Sequence, residues 1–305
     1  MILVIIANFS YFFNVMITFK AYAKINLGLR IVRKRGDGFH DIETIYHRVN
    51  LYDEIMIESS SSIVFISDDR SLPTDDRNLC VRAAKLLLKY NKMGKGANIF
   101  LKKNIPIGAG LGGGSSDAAS TLLGLVKLWD VQITDDKLYS LALTLGSDVP
   151  YFLRPNTAYA TGRGEILEYF SYNLPLWIVV VYPNIHISTA WAYNEIYSSD
   201  NSHIGKWKPE STLKQIVLDN LQNPESLNKL LHNDFEPVVL HKFREIAILK
   251  IALYASGASF VQMSGSGSAI FGLFSDESTA VSAAEKFRKD SKVSITPPYF
   301  KPEVG

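Results

Sequence analysis

A chain of 305 residues, 47% hydrophobic and 20% charged, is long and apolar enough to bury one large core or two smaller ones, and two lobes are expected. Its formal charge of +2 comes with no run of like charge longer than Arg33-Lys34-Arg35, which argues against a nucleic-acid partner. The single cysteine, Cys80, excludes an internal disulfide and fits a reducing, cytoplasmic setting.

Residues 1–19 are very apolar, yet they lack the positive n-region of a signal peptide, since the first Lys or Arg is Lys20. Asn8, Ser10 and Asn14 also interrupt the run, so neither a targeting segment nor a membrane partner is expected. Met16 precedes Ile17-Thr18-Phe19-Lys20-Ala21-Tyr22, which alternates like an edge strand, so translation is expected to begin at Met16, with 1–15 an apolar extension. Residues 17–33 and 54–67 carry β-branched residues and partial alternation, and a Gly36-Asp37-Gly38 turn separates the first strand pair. Residues 78–90 switch to helical period, with Cys80 on the apolar face, and 98–102 read as another strand. A glycine-dense loop then leads into a helix over 115–129, with Ser and Asp at its start. A further helix over 134–145 ends at Gly146, expected as a left-handed cap, and Asp148 follows.

Beyond Tyr159 the pattern gives a buried strand at 176–182, a helix at 189–197, a polar connection at 202–223 and helices up to Tyr254. The chain closes with strand 259–262, loop 263–267, strand 268–274 and helix 277–288, an α+β unit. The lobe boundary is expected near residue 165, giving lobes 16–165 and 166–305 after the 1–15 extension.

The run Pro106-Ile107-Gly108-Ala109-Gly110-Leu111-Gly112-Gly113-Gly114-Ser115-Ser116 is the most informative stretch. Its five glycines permit positive φ angles and clear side chains from the path of an approaching ligand. Successive N–H groups, backed by the positive end of the helix that follows, make an anion site without a lysine. Three other readings compete. The stretch can be a plain flexible turn. Gly108, Gly110 and Gly113 also satisfy G-x-G-x-x-G with Asp130 downstream, but a dinucleotide fold needs its acidic residue at the end of a second parallel strand, and Asp130 follows directly on a helix. A Walker loop would need Gly-Lys-Ser or Gly-Lys-Thr, which does not follow at the required spacing. His40 and His47 match no zinc spacing, and no protein metal site is expected. Taken singly, Asp148 reads as a cap or turn residue, Lys24 as a surface ion-pair partner and Asn26 as an edge residue.

The glycine run, taken with three further blocks, resembles the GHMP kinases. Ala23-Lys24-Ile25-Asn26-Leu27, Arg35-Gly36-Asp37-Gly38-Phe39-His40-Asp41-Ile42-Glu43-Thr44 and Leu145-Gly146-Ser147-Asp148-Val149-Pro150-Tyr151-Phe152 narrow the match to the 4-diphosphocytidyl-2-C-methyl-D-erythritol kinases of that superfamily. Met263-Ser264-Gly265-Ser266-Gly267-Ser268 resembles its C-terminal glycine motif. The blocks keep the family's order from residue 17 to about 275; the apolar extension is the main departure.

The resemblance implies a two-lobed α+β fold, an N-terminal α/β lobe carrying the glycine-rich phosphate loop and a C-terminal ferredoxin-like lobe. It implies Mg-ATP as donor and the 2-hydroxyl of the methylerythritol moiety as acceptor, in the non-mevalonate route to isoprenoid precursors. Another small alcohol, such as homoserine or a mevalonate derivative, and a catalytically silent nucleotide-binding protein are the alternatives. Asp148 would be the base for the acceptor hydroxyl. Lys24 would balance the charges of Asp148 and the γ-phosphate, and Asn26, on the same strand face, would bond the acceptor polyol. Phe39, commonly tyrosine in relatives, would stack on cytosine and His40 would meet its edge. Tyr193 would give a second aromatic wall with Thr189 beside it, although Thr189 and Tyr193 equally fit a helix start capped by Ser188 with Trp191 in the core. Ser115 and Ser116, which sequence does not rank, would meet phosphate oxygens or Mg²⁺. Gly265, Gly267 and Ser268 would brace the glycine loop.

Overall fold

The computed structural model describes residues 16–92, 94, 96–198, 211–220 and 223–303. The expected 1–15 extension and half of the polar connection, 202–210 with 221 and 222, lie outside the described residues. In chain order the elements are β1 (Ile17–Lys34), β2 (His40–Ser60), β3 (Val64–Ser67), α1 (Leu79–Leu88), β4 (Gly96–Lys102), α2 (Gly113–Leu128), α3 (Asp135–Leu145), a 3₁₀ turn at Val149–Leu153, β5 (Thr157–Thr161), β6 (Ile166–Phe170) and β7 (Trp177–Tyr182). There follow α4 (Thr189–Ser198), α5 (Leu213–Asp219), α6 (Pro224–Leu230), α7 (Glu236–Lys242), α8 (Arg244–Ala255), β8 (Phe260–Met263), β9 (Ile270–Phe274), α9 (Glu277–Phe287) and β10 (Lys292–Thr296).

Two sheets carry the fold, as expected of a two-lobed GHMP kinase. The first has strand order β3-β4-β2-β5-β6 with β1 also on β2, antiparallel except for the β3–β4 pair. The second, β10-β7-β9-β8, is antiparallel throughout. Helices α1 to α3 cover the first sheet with a core that includes Leu87, Leu122, Leu125 and Ile57. Between the sheets, Ile25 and Leu27 of β1 meet Ile178 and Val180 of β7 and Phe271 of β9. Side chains this size gain roughly 1.5–3 kcal/mol each on full burial, so the layer ties the lobes together. A third cluster packs α4, α7, α8 and α9 on the far face of the second sheet.

Three predicted details change. The 54–67 strand is two: β2 runs unbroken from the Gly36-Asp37-Gly38 turn to Ser60, and β3 pairs separately and in parallel with β4. Gly146 has φ 169 and ψ 157, which is extended backbone, so α3 ends without a left-handed cap. Part of the predicted connection is helical, α5, because Thr212 accepts from Gln215 N–H and caps it. Strand β6, beyond residue 165, pairs with β5 in the first sheet, and β10 was not expected from sequence.

Candidate active site

Strand register brings the polar residues of the first blocks together. On β1, Lys24 pairs with Arg48 and Asn26 with Tyr46 of β2. Residues two apart share a strand face, so Lys24 and Asn26 point the same way. Lys24 Nζ donates to Asn26 Oδ1 at 2.6 Å and to the Gly110 carbonyl at 3.1 Å. It lies 3.8 Å from Asp148 Oδ2, a carboxylate delivered from another part of the chain by the turn after α3. The ammonium is nearly inaccessible, whereas the Asp148 side chain keeps 33% of its surface exposed. Burial presses the Lys24 pKa below its ordinary value, and the Asp148 charge opposes that shift.

Tyr46, which sequence did not single out, donates its hydroxyl to Asp148 Oδ1 at 3.0 Å. Its own pKa is driven well up, first by burial and then by the Asp148 charge, so it stays a donor. Asp148 therefore has one oxygen held by Tyr46 and the other facing Lys24. Asn26 accepts from Lys24 and donates to Thr44 Oγ1 at 2.9 Å, and, though buried, it lines the same cleft as Lys24 and Asp148.

The glycine loop between β4 and α2 is strapped from both sides. Lys24 N–H donates to the Leu111 carbonyl at 3.0 Å and Ala269 N–H to the Ala109 carbonyl at 3.1 Å. Ser264 Oγ donates to the Gly110 carbonyl at 3.0 Å, so the C-terminal glycine motif does brace the loop. Gly110 has φ +78, and a Cβ there would come within 2.0 Å of the Ser264 carbonyl oxygen, so no side chain fits. Gly112, at φ +71, is the N-cap of α2 and has no side chain to offer its first turn, which leaves those N–H groups to an anion. The helix thus begins before the predicted Ser and Asp caps. Ser116 is buried and donates to the Tyr22 carbonyl at 2.8 Å; Ser115 is half-buried and faces the cleft, which ranks the two serines.

Two clefts meet at this loop. One, of ≈ 360 Å³, runs from Leu72 and Leu79 past Lys103 to residues 106–110 and 112–115. The other, of ≈ 530 Å³, holds Lys24, Tyr46, Asp148, Phe39, His40 and Tyr193. Among the described residues only Gly110 and Gly112 line both. In the first, Lys103 pairs with buried Asp53 and, at 3.2 Å, with Asp117 Oδ2, another group sequence missed. Burial drives the Asp117 carboxyl well above the carboxylate range against the pull of Lys103.

The far end of the second cleft is aromatic. The His40 ring stacks on Tyr193 at 3.9 Å between centroids and 7° between planes, and Tyr193 packs edge-on to Phe235. The His40 Nε2 atom is buried with no hydrogen-bond partner among the described residues. Burial and the Lys34 charge lower the His40 pKa, so the ring is neutral near pH 7. Phe39 is 51% exposed at the rim with the Arg163 guanidinium 4.6 Å above its ring. Arg163 sits in the turn between β5 and β6, where Gly162-Arg163-Gly164 was the overlooked signal. Thr189 pairs with Ser266 at 2.8 Å, and Trp191 N–H lies 3.4 Å from Ser188 Oγ, so the segment starts a helix while Thr189 and Tyr193 line the second cleft. Among the described residues no group of three His, Cys, Asp or Glu side chains could hold a metal, and no helix is long and apolar enough to cross a membrane.

The model of the GHMP kinases N terminal domain matches residues 78–155 and that of the GHMP kinases C terminal residues 214–292. The 4-diphosphocytidyl-2-C-methyl-D-erythritol kinase of Chlorobium phaeobacteroides (strain BS1) is 45% identical over 286 residues, covering 93% of this chain and 98% of its own. That of Prosthecochloris aestuarii matches at 45% over the same length and shares. A crystal structure of 4-(cytidine 5'-diphospho)-2C-methyl-D-erythritol kinase aligns with TM-score 0.78 and 33% identity over 95% of this chain and 100% of that one. Homoserine kinase from Cytophaga hutchinsonii aligns at TM-score 0.66 and 18% identity, over 94% of this chain and 96% of that one, a likeness of fold alone.

Proposed function

The chain belongs to the 4-diphosphocytidyl-2-C-methyl-D-erythritol kinases of the GHMP kinase superfamily, and from that premise we propose how its residues divide the work. It is an ATP-dependent phosphotransferase acting on an alcohol, the 2-hydroxyl of 4-diphosphocytidyl-2-C-methyl-D-erythritol, in isoprenoid precursor biosynthesis. The observation that carries the division of roles is the meeting of two clefts at Gly110 and Gly112, with Lys24 and Asp148 on one side of the junction. ATP occupies the cleft of Leu72, Lys103 and the glycine loop, with its γ-phosphate at the junction. The cytidine substrate occupies the other, its base at Phe39, His40 and Tyr193 and its acceptor hydroxyl at Asp148. A nucleobase pocket apart from the ATP cleft is needed for a cytidine substrate and superfluous for homoserine or mevalonate.

Phosphoryl transfer through a loose transition state asks for alignment and charge balance more than covalent work. Asp148 takes the acceptor proton as the new P–O bond forms, while Tyr46 fixes one of its oxygens and so the direction of the other. Lys24, anchored by Asn26 and the Gly110 carbonyl, offers its charge to the transferring group. The N–H groups opening α2 stabilise phosphate oxygens. Ser115 is the hydroxyl that would meet Mg²⁺ carried by the nucleotide, an ion that would neutralise phosphate charge while keeping few protein ligands. The single thiol of Cys80, buried and unpaired, is compatible with a cytoplasmic location.

An ADP-release screen with the diphosphocytidyl substrate, homoserine and mevalonate tests the assignment. Turnover of the first alone is expected; turnover of another alcohol without it would overturn the reading. Phe39→Ala should raise KM for the cytidine substrate about three- to tenfold with kcat nearly unchanged, since base stacking is uniform binding.

A further inference from the structure

The turn Gly162-Arg163-Gly164, between β5 and β6, reaches both ends of the second cleft. On one side the Gly162 carbonyl accepts from Ile42 N–H of β2 at 2.6 Å, two residues beyond His40. On the other, a Cβ at Gly164 would fall 2.3 Å from the Tyr46 hydroxyl and 3.5 Å from Asp148 Oδ1, so the backbone abuts the Tyr46–Asp148 pair. Arg163, between them, lines the cleft and holds its guanidinium 4.6 Å over the Phe39 ring. Among the described residues that guanidinium makes no hydrogen bond, and its ion pair with Glu165 Oε1 is loose at 3.7 Å. Glu165 accepts the Arg163 backbone N–H at 2.5 Å through its other oxygen, and nearby Asp37 is paired with Arg35 at 3.0 Å. The Arg163 side chain keeps 28% of its surface exposed, so its N–H donors are accessible to a ligand in the cleft.

With the base at Phe39, His40 and Tyr193 and the acceptor hydroxyl at Asp148, a placement this assignment presupposes, the diphosphate joining them lies alongside the turn. Taking a dianionic diphosphate out of water calls for a cation beside it. Among the described residues the cleft lining holds two side chains of fixed positive charge, Lys24 and Arg163. Lys24 is engaged by Asn26, the Gly110 carbonyl and Asp148 at the junction with the ATP cleft. We propose that Arg163 binds the diphosphate of the cytidine substrate and sets the preference for a diphosphate ester over the bare nucleoside. A guanidinium meets phosphate oxygens two at a time, which the point charge of a lysine does not.

Cytidine and CDP serve as probes in calorimetric titrations of the full chain, with a saturating non-hydrolysable ATP analogue filling the other cleft. The wild type is expected to bind CDP at least about tenfold more tightly than cytidine. Arg163→Gln should weaken CDP about tenfold and leave cytidine within about twofold, and Arg163→Lys should recover part of the loss. In turnover, Arg163→Gln should raise KM for the diphosphocytidyl substrate about tenfold with kcat within about twofold, which also shows that the variant folds. Equal loss of cytidine and CDP would make Arg163 a prop for Phe39 and overturn its role. Phe39→Ala, expected to weaken cytidine about three- to tenfold, tests the base pocket separately. Unchanged cytidine affinity there would overturn that pocket and Arg163 with it. A cytidine loss in Phe39→Ala beside an unchanged ratio of CDP to cytidine affinity in Arg163→Gln would overturn Arg163 alone.

Discussion

Lys24 and Asp148 lie 124 positions apart in sequence and 3.8 Å apart in space, and the chemistry proposed for the cleft depends on that approach. Asp148→Asn keeps the shape and removes the base, so kcat should fall on the order of 10²–10⁴ while the fold and nucleotide affinity persist. Steady-state kinetics beside a thermal melt check this, and wild-type turnover would discredit the role. Tyr46→Phe removes one hydrogen bond to Asp148 and should cost roughly tenfold in kcat, with both KM values little changed. Family blocks made Lys24, Asn26, Phe39, His40 and Asp148 legible. Tyr46 and Arg163 were not, because their roles come from cross-strand register and a hairpin turn. The bonds of Asn26 to Lys24 and Thr44 were not legible either: a strand face tells which way an amide points, not which neighbour takes its hydrogen bonds.

At the scale of elements, the glycine loop is the part whose sequence most constrained its structure. Positive φ at Gly108, Gly110 and Gly112 answers the density of glycine read there. Gly110→Ala would force a Cβ against the Ser264 carbonyl in a left-handed conformation, and about 1–3 kcal/mol of stability should be lost together with ATP affinity. Urea unfolding and nucleotide titration of the variant measure both, and an unchanged midpoint would refute the packing account. The cap of α2 was misread because Ser115 and Asp117 look like cap residues in sequence, whereas Gly112 caps a helix that starts at Gly113, two residues before Ser115. The unexpected α5 has a comparable reason: a short helix capped by Thr212 leaves too few turns for a period to stand out.

At the scale of the whole molecule, the two sheets share the apolar layer of Ile25, Leu27, Ile178 and Phe271, and that layer was legible only as separate strands. Which strands pair across sequence distance, as β10 does with β7, is set by tertiary packing that no local pattern encodes. The same packing buries His47 of β2 against Thr157 and Tyr172, and burial depresses its pKa from 6.5 to about 4. The unfolded chain therefore binds this proton more tightly than the folded one. Stability contributed by the neutral ring is complete above pH 6.5 and lost as pH falls toward about 4. Between neutral pH and pH ~5 the loss from this residue should be about 2 kcal/mol. Urea midpoints of wild type and His47→Gln across that range isolate it, and identical slopes would refute it.

The central claim is that Asp148 receives the proton of the substrate's 2-hydroxyl as ATP gives up its γ-phosphate. The direct measurement is ³¹P NMR of the wild type and Asp148→Asn with ATP, Mg²⁺ and 4-diphosphocytidyl-2-C-methyl-D-erythritol. In the wild type a new phosphomonoester on the 2-hydroxyl should grow one-for-one with ADP, and in the variant it should be slowed on the order of 10²–10⁴ although both ligands bind. The same signal growing at the wild-type rate in Asp148→Asn, or ADP formed without it in the wild type, would contradict the account.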